Sequence, residues 1–372
     1  MKAWPLIGVC IIQFILFLAH GFLYHSWIAF WPALGPAAPW LRPAMLVLSF
    51  SFAPATLLTF RFSNTLVDLC YTAAAVWLGF LNFIFLAACL SWLLWYALEL
   101  TAPHSTAVAV RPFILGALTS LALVAGIYGL VNARTIRVRR IAVRLPNLPT
   151  PWLGRTAVLI SDLHLGAVNG LRFCRRIAAM AAKLHPDIVF FPGDIFDGTK
   201  LDLDLVLTPF RQLTTPFGIY FSTGNHEEFS DPTHYIQAIA RAGIRVLASE
   251  RVTVDGLHIA GVSYGLTHSP SRLRSALEAM KIESGQAGVL LNHVPTRLPL
   301  VEAAGFSLQL SGHTHRGQIF PFTWLTQRIF GVFTYGLHSF GSLQVLTSCG
   351  AGTWGPPMRV GSSPEIVAIT FE

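Results

Sequence analysis

The hydrophobic pattern changes character once along the chain. As far as about residue 133 the apolar positions form long blocks, with no charge between Lys2 and Arg42, Arg42 and Arg61, Asp68 and Glu99, or Arg111 and Arg134. A membrane-spanning helix needs about 20 mostly apolar residues. The gaps therefore predict an N-terminal α-helical transmembrane region, residues 1–133, with spans at 5–31, 41–60, 69–98 and 112–131. The second is the shortest and contains Pro54, so it either borrows Trp40 and Leu41 or re-enters the same face. The third, at roughly 45 Å of helix, must tilt or project. A cleavable signal peptide is not expected, because its apolar core is shorter and no further spans would follow.

From Thr156 the apolar runs shorten and end in polar clusters, with helical stretches between them, as at 171–184. The run 157–160 ends at Ser161-Asp162-Leu163-His164, and 188–191 ends at Pro192-Gly193-Asp194. Run 219–222 leads into Thr223-Gly224-Asn225-His226-Glu227, 289–291 into Asn292-His293, and 307–310 into Ser311-Gly312-His313-Thr314-His315. Runs 345–347 and 366–371 supply further strands, and 245–261, without a helical period, reads as an antiparallel extension. Strands alternating with helices predict a layered α/β domain.

Composition supports a division into two halves. Only 12% of residues are charged and 53% are hydrophobic, against a usual charged share of about 25%. That excludes a disordered chain and a single water-soluble globule. The formal charge of +8 is unevenly placed. Residues 1–150 hold nine Lys/Arg against two Asp/Glu, and 151–372 hold seventeen against sixteen. The second half thus lacks the basic footprint of a nucleic-acid enzyme, and no nucleic-acid partner is expected. Five of the bases, Arg134, Arg137, Arg139, Arg140 and Arg144, crowd behind the last span. They predict a basic juxtamembrane linker, 134–155, held on the cytoplasmic side. The five cysteines show no paired spacing and read as free thiols.

Each polar cluster alone is an ordinary loop or helix cap. Together, five strand-like runs place Asp, Asn and His at their carboxyl ends, where open sheets build their sites. His313 and His315, two residues apart on extended chain, would point the same way. Imidazole suits zinc, iron, copper and nickel, whereas carboxylate oxygen suits manganese, magnesium and calcium. A mixed set of this size exceeds one tetrahedral ion. Two ions sharing a carboxylate use it better, and at about 3.5–4 Å apart they serve in-line displacement at phosphorus.

The ordered set Asp162-x-His164, Gly193-Asp194-x-x-Asp197, Gly224-Asn225-His226-Glu227, His293 and Gly312-His313-x-His315 resembles the calcineurin-like metallophosphoesterase superfamily. The likeness covers 156–372. The closing Gly350-Ala351-Gly352-Thr353-Trp354-Gly355-Pro356-Pro357 and Pro364-Glu365-Ile366 are similar to the bacterial branch with N-terminal transmembrane segments. The resemblance implies an α/β-β-α layered domain and an enzyme, a metal-dependent hydrolase of phosphodiesters or pyrophosphates that attacks with a metal-bridging hydroxide. It implies two divalent ions drawn from Mn, Fe, Zn or Ni. Asp162, His164 and His315 would bind the first, Asn225, His293 and His313 the second, and Asp194 both. His226 would serve the leaving group, and Asp197 and Glu227 would support the ligands from behind. It further implies an integral protein of the bacterial inner membrane.

Residues 319–340, rich in Phe, Trp, Leu and Ile, predict either a covering core element or a greasy lip that admits acyl chains. On the second reading Arg316, Arg328, Arg359 and Trp354 would meet the substrate, because guanidinium binds phosphate in a fork. Related families cleave UDP-2,3-diacylglucosamine, so a lipid-linked pyrophosphate is an expected partner. A sensor or scaffold that binds a phosphate ligand without turnover is the alternative.

Overall fold

The computed structural model describes residues 4–229 and 231–372, so residues 1–3 of the expected membrane region lie outside it. The chain divides into two compact units, Met1–Val131 with Gly355–Met358, and Asn132–Trp354 with Arg359–Glu372.

The first unit is helical: α1 (Trp4–Phe30), α2 (Ala38–Ser49), α3 (Phe52–Arg61), α4 (Thr65–Glu99) and α5 (His104–Ala133), with a 3-10 turn at Pro32–Ala37. Among the described residues, four stretches are long and apolar enough to cross a membrane: Val9–Phe30, Pro32–Arg61, Thr65–Glu99 and His104–Ala133. The second is broken between α2 and α3. Pro54 has no N–H to donate to the carbonyl of Phe50, and its ring would clash there. At 35 residues, α4 is about 52 Å long, beyond a hydrocarbon core of about 30 Å. It starts where Asn64 accepts the Val67 N–H (3.1 Å), and α5 starts eight residues ahead of the span expected at Pro112. Polar side chains inside the unit join helices to each other. Trp77 donates to His20 Nε2 (2.9 Å), whose Nδ1 meets the Leu16 carbonyl (2.7 Å), and Trp92 donates to Ser26 (2.9 Å). His20 is thereby saturated, which fits helix-to-helix adhesion rather than an ion path.

The second unit contains β1 (Arg137–Val143), β2 (Thr156–Leu159), α6 (Leu171–Ala182), β3 (Ile188–Phe191), α7 (Leu203–Arg211), β4 (Ile219–Phe221), α8 (Thr233–Arg241), β5 (Arg245–Val246), β6 (Glu250–Val254) and β7 (Leu257–Gly261). After these come α9 (Pro270–Ala279), β8 (Gly288–Leu291), α10 (Leu298–Ala303), β9 (Leu308–Ser311), α11 (Phe322–Phe330), β10 (Gly336–Phe340), β11 (Leu343–Thr347) and β12 (Glu365–Phe371). They form two six-stranded sheets, β1-β12-β2-β3-β4-β5 and β10-β11-β9-β8-β7-β6. The run β2-β3-β4-β5 is parallel, and so is β7-β8-β9-β11.

Period-two alternation explains the layers. Ala157, Leu159, Ile188 and Phe190 face the second sheet's Val289, Leu291, Leu308 and Leu310 in one core. Their neighbours Val158, Val189 and Phe191 pack instead on α6, α7 and α8 through Cys174, Ile177, Phe210 and Ile239. On the far side Leu290 and Val345 meet Leu273, Leu277 and Val301 of α9 and α10. The order is helix, sheet, sheet, helix. Burial on both faces accounts for the unbroken apolar runs of β3 and β8. As expected, β6 pairs antiparallel with β7.

One expectation is corrected. The stretch 134–155 does not behave as a linker, because β1 lies parallel to β12 with Arg137 opposite Glu365 and Val143 opposite Phe371. It is an edge strand. The arginines leave its open side charged, which discourages pairing with another chain.

Candidate metal centre

The carboxyl ends of β2, β3, β4, β8 and β9 converge, and every ligand type expected from the sequence is brought to that point. Among the described residues, three clusters have donor atoms within 4.8 Å of one another: Asp162, His164 and His315; His164, Asp194 and His226; Asp194, His293 and His313. His164 Nε2 is 2.9 Å from His315 Nε2, and His315 Nε2 is 3.4 Å from Asp162 Oδ1. Asp194 Oδ2 stands 3.1 Å from His293 Nε2 and 3.9 Å from His164 Nε2. Asn225 Oδ1 joins at 2.8 Å from His313 Nδ1.

Backbone geometry sets this convergence. Asp162, His164, Asp194, His313 and His315 all have positive φ, between 46° and 69°, a region non-glycine residues rarely adopt and one that clusters at functional sites. The turns are held by cross-links between loops. The His313 N–H donates to Asp162 Oδ1 (3.0 Å), Gly312 N–H to His293 O (3.0 Å) and His164 N–H to Asp194 O (3.2 Å). Gly312 is required for close approach, since a Cβ there would sit 1.9 Å from Ser161 Oγ and 2.2 Å from Asp162 Oδ2.

Glu227 is fully buried. It accepts the N–H groups of Asp194 (3.0 Å), Phe196 (3.0 Å) and Gly224 (2.8 Å), tying two ligand loops together. Asp197 accepts from Thr199 through its side chain (2.6 Å), and its carbonyl meets His226 Nδ1 (3.0 Å). His226 also donates its backbone N–H to Asp194 Oδ1 (2.9 Å).

The electrostatics fit a cation. Burial, then repulsion from neighbouring imidazoles, lowers the pKa values of His164 and His315 and takes His313 down to about 4, so these rings offer lone pairs. Burial pushes Asp162 up to about 6, and burial with the Asp194 charge pushes Glu227 up to about 7. Burial opposes the charge of Asp194 too, but His293 outweighs it and holds that carboxyl below the usual range. Conversely His293, against its own burial, is raised to about 9 by Asp194. His293 Nε2 is fully buried and faces carboxylate oxygens of Asp194 (3.1 Å) and Asp162 (4.0 Å), a donor setting that suits a cation. Imidazole, carboxylate and amide oxygen together suit Mn, Fe, Zn or Ni.

A proton on His293 must leave when metal binds. Affinity is expected to rise with pH up to about 9 and to fall as His293 protonates below it. Manganese titration calorimetry at pH 7, in two buffers of different ionisation enthalpy, should read release of about one proton. No release would remove His293 from the ligands.

The family described as Calcineurin-like phosphoesterase matches residues 156–317. A protein of Danio rerio named transmembrane protein with metallophosphoesterase domain is 31% identical over 324 residues, covering 82% of this chain and 73% of its own length. The chain belongs to the calcineurin-like metallophosphoesterases. A metallophosphoesterase of Aquifex aeolicus is 30% identical over 68% of this chain and 98% of its own. One of Campylobacter jejuni is 29% identical, with 66% of each chain aligned. Membership supports metal-dependent phosphoester hydrolysis as the chemistry. The Danio rerio alignment covers more than the catalytic unit's share of the chain, so the likeness reaches into the membrane-spanning helices.

Within this metallophosphoesterase, the residues expected to meet substrate separate. Arg359 is fully buried and does not face phosphate. Its guanidinium donates to the carbonyls of Cys349 (2.8 Å), Gly350 (3.2 Å) and Gly352 (2.5 Å) and approaches the His315 carbonyl (3.4 Å). Arg316 is exposed beside the ligand loop, 4.9 Å from the Tyr335 ring, and Arg328 lies over Trp324. Trp354 is exposed with its ring 6.0 Å from His226. The sequence reading missed two rim residues: Phe229, 4.4 Å from the His226 ring, and Tyr264, 6.0 Å from His313. A signal for Tyr264 existed, since it follows the carboxyl end of β7, one more strand end on the same side.

Proposed function

We propose that the protein is a membrane-anchored phosphoesterase with two divalent ions that cleaves a phosphodiester or pyrophosphate bond, on a lipid-linked substrate of the kind represented by UDP-2,3-diacylglucosamine. The observation that carries this reading is the pair of donor clusters Asp162/His164/His315 and Asp194/His293/His313, with Asp194 Oδ2 also 3.9 Å from His164 Nε2. Asp162, His164 and His315 would hold one ion, Asn225, His293 and His313 the other, and Asp194 both. When bound, the ions would supply an activated water and offset charge at phosphorus.

The chain's own groups do the rest. With Nδ1 donating to the Asp197 carbonyl, His226 keeps Nε2 for the scissile oxygen. Burial lowers its pKa, which makes the protonated ring a stronger acid toward a leaving group. The rim rings of Phe229, Tyr264 and Trp354 offer apolar walls. The Arg134–Arg144 cluster supports a cytoplasmic placement of the catalytic unit; the bacterial inner membrane is the placement that the family resemblance suggests.

Full-length protein loaded with manganese is expected to hydrolyse an aryl phosphodiester and a lipid-linked pyrophosphate, with loss on chelation and preference for the acylated substrate. Phosphate binding without turnover across Mn, Zn, Fe and Ni would replace the enzyme reading with a sensor. Indifference to acyl chains would sink the lipid-linked part alone.

A further inference from the structure

A surface helix of a water-soluble unit normally turns its apolar stripe inward, and α11 does the reverse. Phe322, Leu325 and Ile329, at i, i+3 and i+7 on one face, are 50%, 48% and 63% exposed. The inward side carries threonines. Thr323 lies against Gly361, and the Thr326 carbonyl accepts from Thr334 (3.1 Å). Among the described residues of the catalytic unit, six of the eleven exposed large apolar side chains fall within 320–332: Phe320, Phe322, Trp324, Leu325, Ile329 and Val332. A contiguous exposed patch of this kind marks an interaction surface.

The helix is rigidly joined to the metal centre. Gly317, two residues after His315, has no room for a Cβ, which would meet Thr323 N at 2.3 Å. The far end is tied back where Thr314, between the two histidines, donates to Thr334 O (2.7 Å). The Phe330 ring stands 6.1 Å from His313.

The lead-in to α11 is held in place by paired hydrogen bonds. The Gln318 side chain exchanges two hydrogen bonds with the Trp354 backbone (2.9 Å each), and Phe320 and Gln318 pair with Val360 (3.0 Å each). The same chain carries four stretches, among the described residues, that are long and apolar enough to cross a membrane, so a bilayer is the apolar surface to which this patch is already tethered by the chain. Arg328, stacked over Trp324 at 4.3 Å, and exposed Arg316 supply cations for headgroup phosphates. Apolar side chains beside Trp and Arg form the composition of helices that lie in a membrane interface.

We propose that α11 is an interfacial helix, with Phe322, Leu325 and Ile329 seated in the acyl–headgroup boundary of the bilayer that the same chain spans, so that the mouth of the metal centre opens onto lipid-borne phosphoesters. The last clause rests on the phosphoesterase reading, whereas the seating of the helix does not.

The test uses the full chain in vesicles of phosphatidylethanolamine and phosphatidylglycerol, doped with a phospholipid carrying a photoactivatable group on its acyl chain. Peptide mapping is expected to find label in 320–332 as well as in the spans, with or without metal. Label confined to the spans would overturn the proposal even if the enzyme is active, and label in 320–332 of an inactive protein would uphold it while the phosphoesterase reading fails. The double variant Leu325→Glu/Ile329→Glu should lower kcat/KM on a vesicle-borne phosphoester roughly tenfold and leave a soluble aryl phosphodiester unaffected. Equal loss on both substrates, or dimerisation that the variant abolishes, would assign the face to folding or to a second copy instead.

Discussion

Replacing Asp194 with alanine is expected to lower metal-dependent hydrolysis by about a thousandfold or more, the effect of losing roughly 4 kcal/mol of stabilisation at the reacting phosphorus. Among the described residues Asp194 stands closest to both halves of the centre, at 3.1 Å from His293 and 3.9 Å from His164, with Asp162 next at 3.4 Å from His315 and 4.0 Å from His293. Its other oxygen holds the His226 backbone N–H, so the same change also loosens the proposed acid. Without it His293 loses the largest of the charges that raise its pKa. Metal content per chain should fall below that of the wild type, with His315→Ala as a second ligand variant expected to act similarly. Wild-type turnover by Asp194→Ala in protein checked for contaminating metal would end the dimetal reading.

Arg359→Met is expected to cost about 3 kcal/mol of stability and to weaken metal binding by about ten- to a hundredfold, although the residue touches neither substrate nor ion. Its guanidinium is spent on carbonyls of 349–352. That loop lies against the first ligand turn, where Gly352 N–H donates to Asp162 O (2.8 Å) and Ala351 N–H to Ser161 O (3.0 Å). Methionine fills similar volume and relieves the burial of a charge, but it leaves those carbonyls short of donors. The nearby positive charge also helps lower the His315 pKa, after burial and His164. Lysine should not rescue, because a single ammonium cannot reproduce the planar fork. Thermal unfolding and manganese titration check this. An unchanged unfolding midpoint with selective loss of substrate affinity would return Arg359 to the substrate-contact role expected from sequence.

That reversal illustrates the limit of the sequence reading. The candidate metal residues were legible because each sits where a short β run stops, and the run itself is written in local period and residue type. Asp162, Asp194, Asn225, His293 and His315 could be found one strand end at a time. The helical half was legible for the same reason, since the absence of charge over a bilayer's thickness is a local property. Even the break in the second span was signalled by Pro54.

Non-local pairing was not legible. Residues 137–143 look like a basic tail until β12, more than two hundred residues away, supplies a parallel partner. An arginine's sequence neighbours do not say whether its guanidinium meets phosphate or carbonyls, and for Arg359 the choice is made by loop 349–352 folding around it. For α11 the apolar spacing could be read, but not which side faces out, because periodicity gives a face and only the packing of Thr323 and Thr326 gives its direction. The sequence by itself determined a membrane-spanning half, a layered α/β half and the inventory of a candidate metal centre. Tertiary structure alone decided how the donors converge, that Arg359 braces rather than binds, and that the apolar stripe beside the metals points outward. Burial and convergence depend on contacts between residues far apart in the chain, and no local pattern encodes them.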